Sequence, residues 1–154
     1  KKYDVVFYFR KNKNKNNLKQ KKLINKLIDN NYKVIIMGDN PHVNKSSYIG
    51  NLERDKALSY ISKSKFAVNN NENMYSLFCL DSLSCGTQVL YFGKKHIKNN
   101  FFNKGSIIQK EIDNVNKQFI LIKKILDSKN IVKIKVNKNY LLNKKKIKNY
   151  FLKI

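Results

Sequence analysis

The chain has 154 residues, 42% of them hydrophobic and 12% aromatic, which is enough apolar surface for one core and too little length for two ordinary domains. A formal net charge of +23 points toward phosphate-bearing partners, but Arg10 and Arg54 are the two arginines among 33 basic residues, a lysine bias that resembles drift toward A/T-rich codons. Composition argues against a disordered chain, a membrane-spanning helix, a secretory leader and a disulfide scaffold, since Cys79 and Cys85 also lack zinc-site spacing; reduced thiols and a cytoplasmic location are expected.

The first element is Tyr3 to Phe9, β-branched and aromatic and too short for a helix, so it predicts a buried strand. The chain opens on Lys1 rather than methionine, which suggests a domain cut from a longer polypeptide. A Lys/Asn tract follows. Leu18, Leu23, Ile24, Leu27 and Ile28 then form a helical stripe that stops at Asp29-Asn30-Asn31. Lys33 to Met37 is a second buried strand, with turn chemistry at Gly38-Asp39-Asn40-Pro41. Tyr48-Ile49-Gly50 predicts a short strand. Ala57, Leu58 and Ile61 mark a helix with Glu53 and Asp55 in its acidic first turn, and Lys65 to Val68 predicts another strand.

Tyr75 to Cys85 predicts a well-buried helix stopped by Gly86, and Gln88 to Phe92 a strand. Ile112, Val115, Phe119, Ile122 and Leu126 recur at helical spacing in one long amphipathic helix. Ile131 to Val136 alternates as an edge strand does, and residues 139–152 predict a terminal helix. Strands alternate with helices along the whole chain. The fold class expected is therefore α/β, a single Rossmann-like domain over residues 1–154, with a parallel sheet, helices on both faces, and ligands outside the carboxyl ends of the strands.

The segment from Asn69 to Val89 carries the most chemistry. A strand enters a polar loop, the loop enters a helix, and free amides near Tyr75, Ser76 and Leu77 make an anion site assisted by the helix dipole. Asp81, about one and a half turns in, is placed to accept hydrogen bonds from vicinal sugar hydroxyls; its plainer role is a partly exposed helix acid. His42 and His96 are isolated and no acid or cysteine cluster accompanies them, so no metal is expected. No phosphate-binding Gly-x-x-x-x-Gly-Lys-Ser/Thr loop and no nucleophile triad is present, and the tyrosines form no nucleic-acid motif.

This segment resembles the donor-site signature of GT-B glycosyltransferases of the large retaining group (group 1, family 4 type), an acid-led loop before Ser/Gly-Leu-x-x-x-Glu-Ala-x-x-x-Gly-x-Pro-Val. Counted back from Gly86, Asp81 falls on the second acid and Ser76-Leu77 on the pair whose amides meet the donor phosphate. The first acid falls on Asn73, with Glu72 one residue early, and Gln88 stands for the common proline. The opening strand with Arg10 and Lys15-Asn16 resembles the family's Gly-Arg…Lys-Gly/Asn, with Phe9 for the glycine. Met37-Gly38-Asp39 resembles its strand-Gly-Asp/Glu turn, and Tyr48-Ile49-Gly50-Asn51-Leu52 its Phe-x-Gly-x-Val segment.

The resemblance covers residues 3 to 93 and implies the C-terminal, donor-binding half of a glycosyltransferase. It implies that Arg10, Lys15, Ser76 and Leu77 meet the donor diphosphate, Asp81 the ribose, and Gly50, Asn51 and Leu52 the nucleobase vicinity, with Glu72 or Asn73 at the catalytic position. The partners implied are a nucleoside diphosphate sugar as substrate, with no cofactor, and an N-terminal acceptor-binding domain or partner chain, without which turnover would be poor. The lysine-rich ends are compatible with peripheral membrane contact; nucleic acid is not an expected partner. Two alternatives stay open: a non-catalytic basic module that holds nucleic acid or anionic surfaces, and a degenerate relative of the family.

Overall fold

The computed structural model describes residues 1–11, 17–43, 47–70, 76–93 and 107–128. The elements in chain order are β1 (Tyr3–Phe9), α1 (Asn17–Asp29), β2 (Val34–Gly38), β3 (Tyr48–Gly50), α2 (Arg54–Ser62), β4 (Ser64–Asn70), α3 (Leu77–Ser84), β5 (Gln88–Phe92), β6 (Ile107–Gln109) and α4 (Val115–Asp127). The six strands form one sheet in the order β3-β2-β1-β4-β5-β6, and every neighbouring pair is parallel. That is the Rossmann-like arrangement expected from the alternation of strands and helices.

The central strands are apolar on both sides because both sides are covered. In β1, Val5, Phe7 and Phe9 enter one core cluster together with Leu23, Ile24, Leu27 and Ile28 of α1 and Phe119 and Ile122 of α4. Val6 faces the other way, into a cluster with Ile61 of α2 and Phe78, Cys79 and Leu83 of α3. One helical layer is thus α1 with α4 and the other α2 with α3. Helix α1 ends as its Asp-Asn-Asn tail predicted: Asn31 takes a left-handed φ of 63°, and Tyr32 N–H reaches back to Leu27 O at 3.1 Å. Gly86 closes α3 in the same way, with φ 68° and its N–H on Leu83 O at 3.1 Å.

Three expectations need correction. Helix α3 begins at Leu77, because Ser76 is extended and caps it. Ile112 lies before α4 rather than within it, since Asn114 is the cap and the helical repeat starts at Val115. The strand β6 was not predicted; three half-buried residues are too short for a periodicity signal, yet they pair with Val89 to Tyr91 of β5. The predicted strand at Ile131 to Val136 and the helix at 139–152 lie outside the described residues.

Candidate functional site

A parallel sheet puts all strand carboxyl ends on one edge, and the chain uses that edge unequally. After β1 the next helix, α1, lies on one face, whereas after β4 the next helix, α3, lies on the other. Since β1 and β4 are hydrogen-bonded neighbours, with Val5, Val6 and Phe7 opposite Phe66, Ala67 and Val68, the point where the winding reverses lies between them. Open α/β sheets form their ligand crevice at such a point. Arg10, exposed, directly follows β1 there.

The ends of β1 and β2 are bound together by a polar turn that the sequence reading treated only as turn chemistry. Asp39 donates its N–H to Phe9 O at 2.8 Å and accepts the Lys11 N–H on Oδ2 at 2.7 Å. Gly38 makes this possible: its φ is +93°, and a Cβ at that position would lie 2.3 Å from Phe9 O. Tyr48 Oη donates to Gly38 O at 3.0 Å, so β3 holds the same turn from the far side. Lys11 Nζ lies 3.2 Å from His42 Nε2, and His42 N–H is held by Asn40 Oδ1 at 2.7 Å. The Lys11 ammonium is therefore directed to His42 beyond the end of β2, and His42, isolated in the sequence, has a lysine as its neighbour in space.

Across the switch point, Ser76 caps α3, its hydroxyl accepting the Cys79 N–H at 3.4 Å, and Leu80 N–H bonds to Ser76 O. The amides of Leu77 and Phe78 belong to the first turn and have no intrahelical acceptor, so they are available to an anion, while Tyr75 lies outside the described residues. The Leu77 side chain is 64% exposed at the helix start. Below the cap the helix is fixed to β4 through Asn69, whose buried amide donates to Cys79 Sγ at 2.9 Å.

Asp81 is found in an ion pair. Arg54, the first residue of α2, donates from Nη2 to Asp81 Oδ1 at 2.7 Å, with side-chain exposures of 56% for Arg54 and 16% for Asp81. The carboxylate hydrogen bond pushes the already high guanidinium pKa further up. Arg54 follows Gly50, Asn51 and Leu52 at the end of β3, where Gly50 has φ 82°, Asn51 is exposed and Leu52 packs against the α2/α3 core cluster. The structure thus brings the end of β3 and the middle of α3 together through a residue that sequence reasoning left out. The signal that could have found Arg54 was arginine retained in a chain that otherwise uses lysine.

Arg10, Ser76, Leu77, Asp81 and the segment from Gly50 to Leu52 accordingly all belong to the carboxyl-edge connections of one sheet. Lys15, Glu72 and Asn73 lie outside the described residues. Among the described residues no group of three His, Cys, Asp or Glu could hold a metal ion, and no helix is long and apolar enough to cross a membrane.

A second positive feature lies on the other helical layer, a groove of about 610 Å³ between Lys19, Lys22 and Lys26 of α1 and Asp113 to Asn116 at the start of α4. Two of its three lysines are engaged with the protein itself: Lys19 pairs with Asp113 at 2.5 Å, and Lys26 donates to Asn116 at 2.6 Å and sits 5.2 Å from the Phe119 ring centroid. This is a salt-bridged seam between α1 and α4, exposed to screening by solvent.

No protein-family model matches the sequence, and neither does any curated protein. Among solved structures, the chain is similar to the glycosyl transferase family 9 protein of Veillonella parvula, at 12% identity and a TM-score of 0.47, with 94% of this chain and 46% of that one covered. The chain therefore spans under half the length of that protein.

Proposed function

We propose that this chain is the donor-binding, Rossmann-like half of a GT-B glycosyltransferase, of the group 1, family 4 type that its motifs resemble. The observation that carries the reading is the adjacency of β1 and β4, which sets the Arg10 strand end and the α3 amides on either side of one switch point. A nucleoside diphosphate sugar suits such a site. Its pyrophosphate takes hydrogen bonds from Leu77 and Phe78 N–H and charge from Arg10, with Lys15 as the second cation of the motif.

A departing nucleoside diphosphate gains negative charge, and fixed guanidinium and amide donors stabilise that charge in the transition state more than in the bound donor. In this reading Asp81 accepts ribose hydroxyls, the Gly50 to Leu52 backbone borders the base, and Glu72 or Asn73 stands near the transferred sugar. The acceptor is bound by a preceding domain or a partner chain, so the chain alone binds donor and turns over poorly. Contact with an anionic membrane through the lysine-rich ends belongs to the same reading.

The test is a calorimetric panel of uridine, guanosine, adenosine and cytidine diphosphates and their sugar conjugates at physiological salt, with inorganic pyrophosphate and heparin as controls. One base class is expected to bind more tightly than pyrophosphate, with little loss when salt is doubled. Equal binding of all polyanions with a steep salt dependence would overturn the reading in favour of a basic electrostatic module.

A further inference from the structure

The ladder between β1 and β2 ends at the pair Phe9 and Gly38, and on its other side β1 pairs with β4 no further than Phe7. Arg10 therefore leaves the sheet at the switch point with its backbone held from the β2 side, by Asp39. In a parallel ladder a residue donates its N–H to the carbonyl before its partner and accepts, on its own carbonyl, the N–H after it. Asp39 makes the first of these bonds, from its N–H to Phe9 O at 2.8 Å, and replaces the second: the Lys11 N–H goes to its side-chain Oδ2 at 2.7 Å. The chain bends at Asp39, and the carboxylate stands where a continuing strand would offer a backbone carbonyl. Both peptide groups that flank Arg10 are thus held by one residue.

The consequence is a direction. Turning Phe9 O and Lys11 N–H toward the same neighbour keeps the backbone extended through Arg10, and in extended backbone residues two apart share a face. Tyr8 packs against the α2/α3 core cluster, its ring stacked on Phe78 in the first turn of α3 with centroids 6.0 Å apart. Arg10 follows on that face, toward the helix whose Leu77 and Phe78 amides lack intrahelical acceptors. The Lys11 ammonium lies elsewhere, on His42. Without the Oδ2 bond the Arg10 backbone is free to turn the guanidinium away from α3.

We infer that Asp39 is a positioning residue for the diphosphate: by completing a parallel bridge with its side chain, it aims Arg10 at the start of α3. The inference rests on the donor-binding reading above and adds to it the residue that directs its cation. A carboxylate near an anion site opposes binding by charge, so the two effects of Asp39 have opposite signs and can be separated. Ordering one residue's backbone on binding, instead of in advance, should weaken affinity about fivefold or more.

The experiment measures dissociation constants by calorimetry, at physiological salt, for whichever of uridine, guanosine, adenosine and cytidine diphosphate binds the wild type best. The variants are Asp39→Ala, Asp39→Asn, Arg10→Ala and the double variant Arg10→Ala/Asp39→Ala, with melting temperatures recorded so that each is titrated folded. Asp39→Ala is expected to bind about fivefold more weakly or worse, and Asp39→Asn, which keeps an oxygen acceptor without the charge, to recover that loss. On the Arg10→Ala background the same Asp39→Ala change should alter affinity less than about twofold, because the residue acts through Arg10. Equal losses on the two backgrounds would mark a purely structural role and overturn the inference. Tighter binding by Asp39→Ala, or an Asp39→Asn as weak as Asp39→Ala, would overturn it as well. Wild-type binding that neither Arg10→Ala nor Asp39→Ala changes would overturn it while leaving nucleotide binding intact, whereas no binding of any of the four by the wild type would overturn the donor-binding reading too.

Discussion

Replacing Gly38 by alanine should damage the fold and the site through one atom. Gly38 has φ +93°, where an L side chain costs about 1–2 kcal/mol, and the added Cβ would stand 2.3 Å from Phe9 O, closer than real Cβ contacts allow. The clashing atom is backbone, held by Asp39 N–H at 2.8 Å, so the β1 end and the β2 turn must separate together, an overpacking cost of roughly 1–3 kcal/mol. Reduced freedom of the unfolded chain returns about 0.4–1 kcal/mol. The net expectation is about 2–4 kcal/mol out of a total of roughly 5–15. Urea unfolding followed by circular dichroism reads this as a midpoint lowered by about 1 M or more at unchanged slope, given slopes of about 1–3 kcal/mol/M. Because Arg10 directly follows Phe9, the folded fraction should also bind diphosphate more weakly. A midpoint within about 0.2 M of the wild type would refute the claim that this close approach fixes the β1 end.

Arg10→Ala should weaken binding of the preferred nucleoside diphosphate by roughly 10- to 100-fold in calorimetry, the worth of a charge-assisted contact, with a melting temperature close to that of the wild type. Ser76→Ala removes a long cap bond of 3.4 Å and should cost about 0.5–1 kcal/mol in denaturant unfolding; a loss above about 2 would mean that Ser76 does more than cap α3. Leu83→Ala, 1% exposed between α3 and the sheet, should cost about 2–5 kcal/mol by the same measurement. Burial raises the Cys85 thiol pKa in the folded chain, so the native state holds that proton longer than the unfolded chain does. Its stability contribution is full below the unfolded thiol's pKa of about 8.5 and declines as pH rises through the folded value, and Cys85→Ser should flatten that alkaline decline in unfolding free energy.

How much of this was legible in the sequence follows from the range of each interaction. The strands at Tyr3, Val34, Ser64 and Gln88 announce themselves because central strands of a parallel sheet are apolar on both faces, and α1 and α4 because one stripe is buried and the rest solvated. Gly86 and Asn31 were readable as helix stops for the reason that positive φ is local chemistry. The three-residue β6 was not, as its pairing partner β5 is distant in sequence and its own run is too short to show a period. The placement of Arg10 and Ser76 at one edge followed from strand alternation, but the Arg54–Asp81 pair, the Asp39 bridge to Lys11 and the Lys11–His42 contact join residues 27, 28 and 31 apart. Such contacts are set by tertiary packing, and no spacing rule reveals them.

The central claim, that a nucleoside diphosphate is held at the β1/β4 switch point, is tested most directly by amide chemical-shift mapping of the isotope-labelled chain during nucleotide titration at physiological salt. Saturable shifts are expected at Arg10, Lys11, Asp39, Leu77 and Phe78, at nucleotide concentrations where inorganic phosphate moves none of them. Shifts gathered instead at Lys19, Lys22 and Lys26, or spread evenly over the lysine-bearing surface, would contradict it.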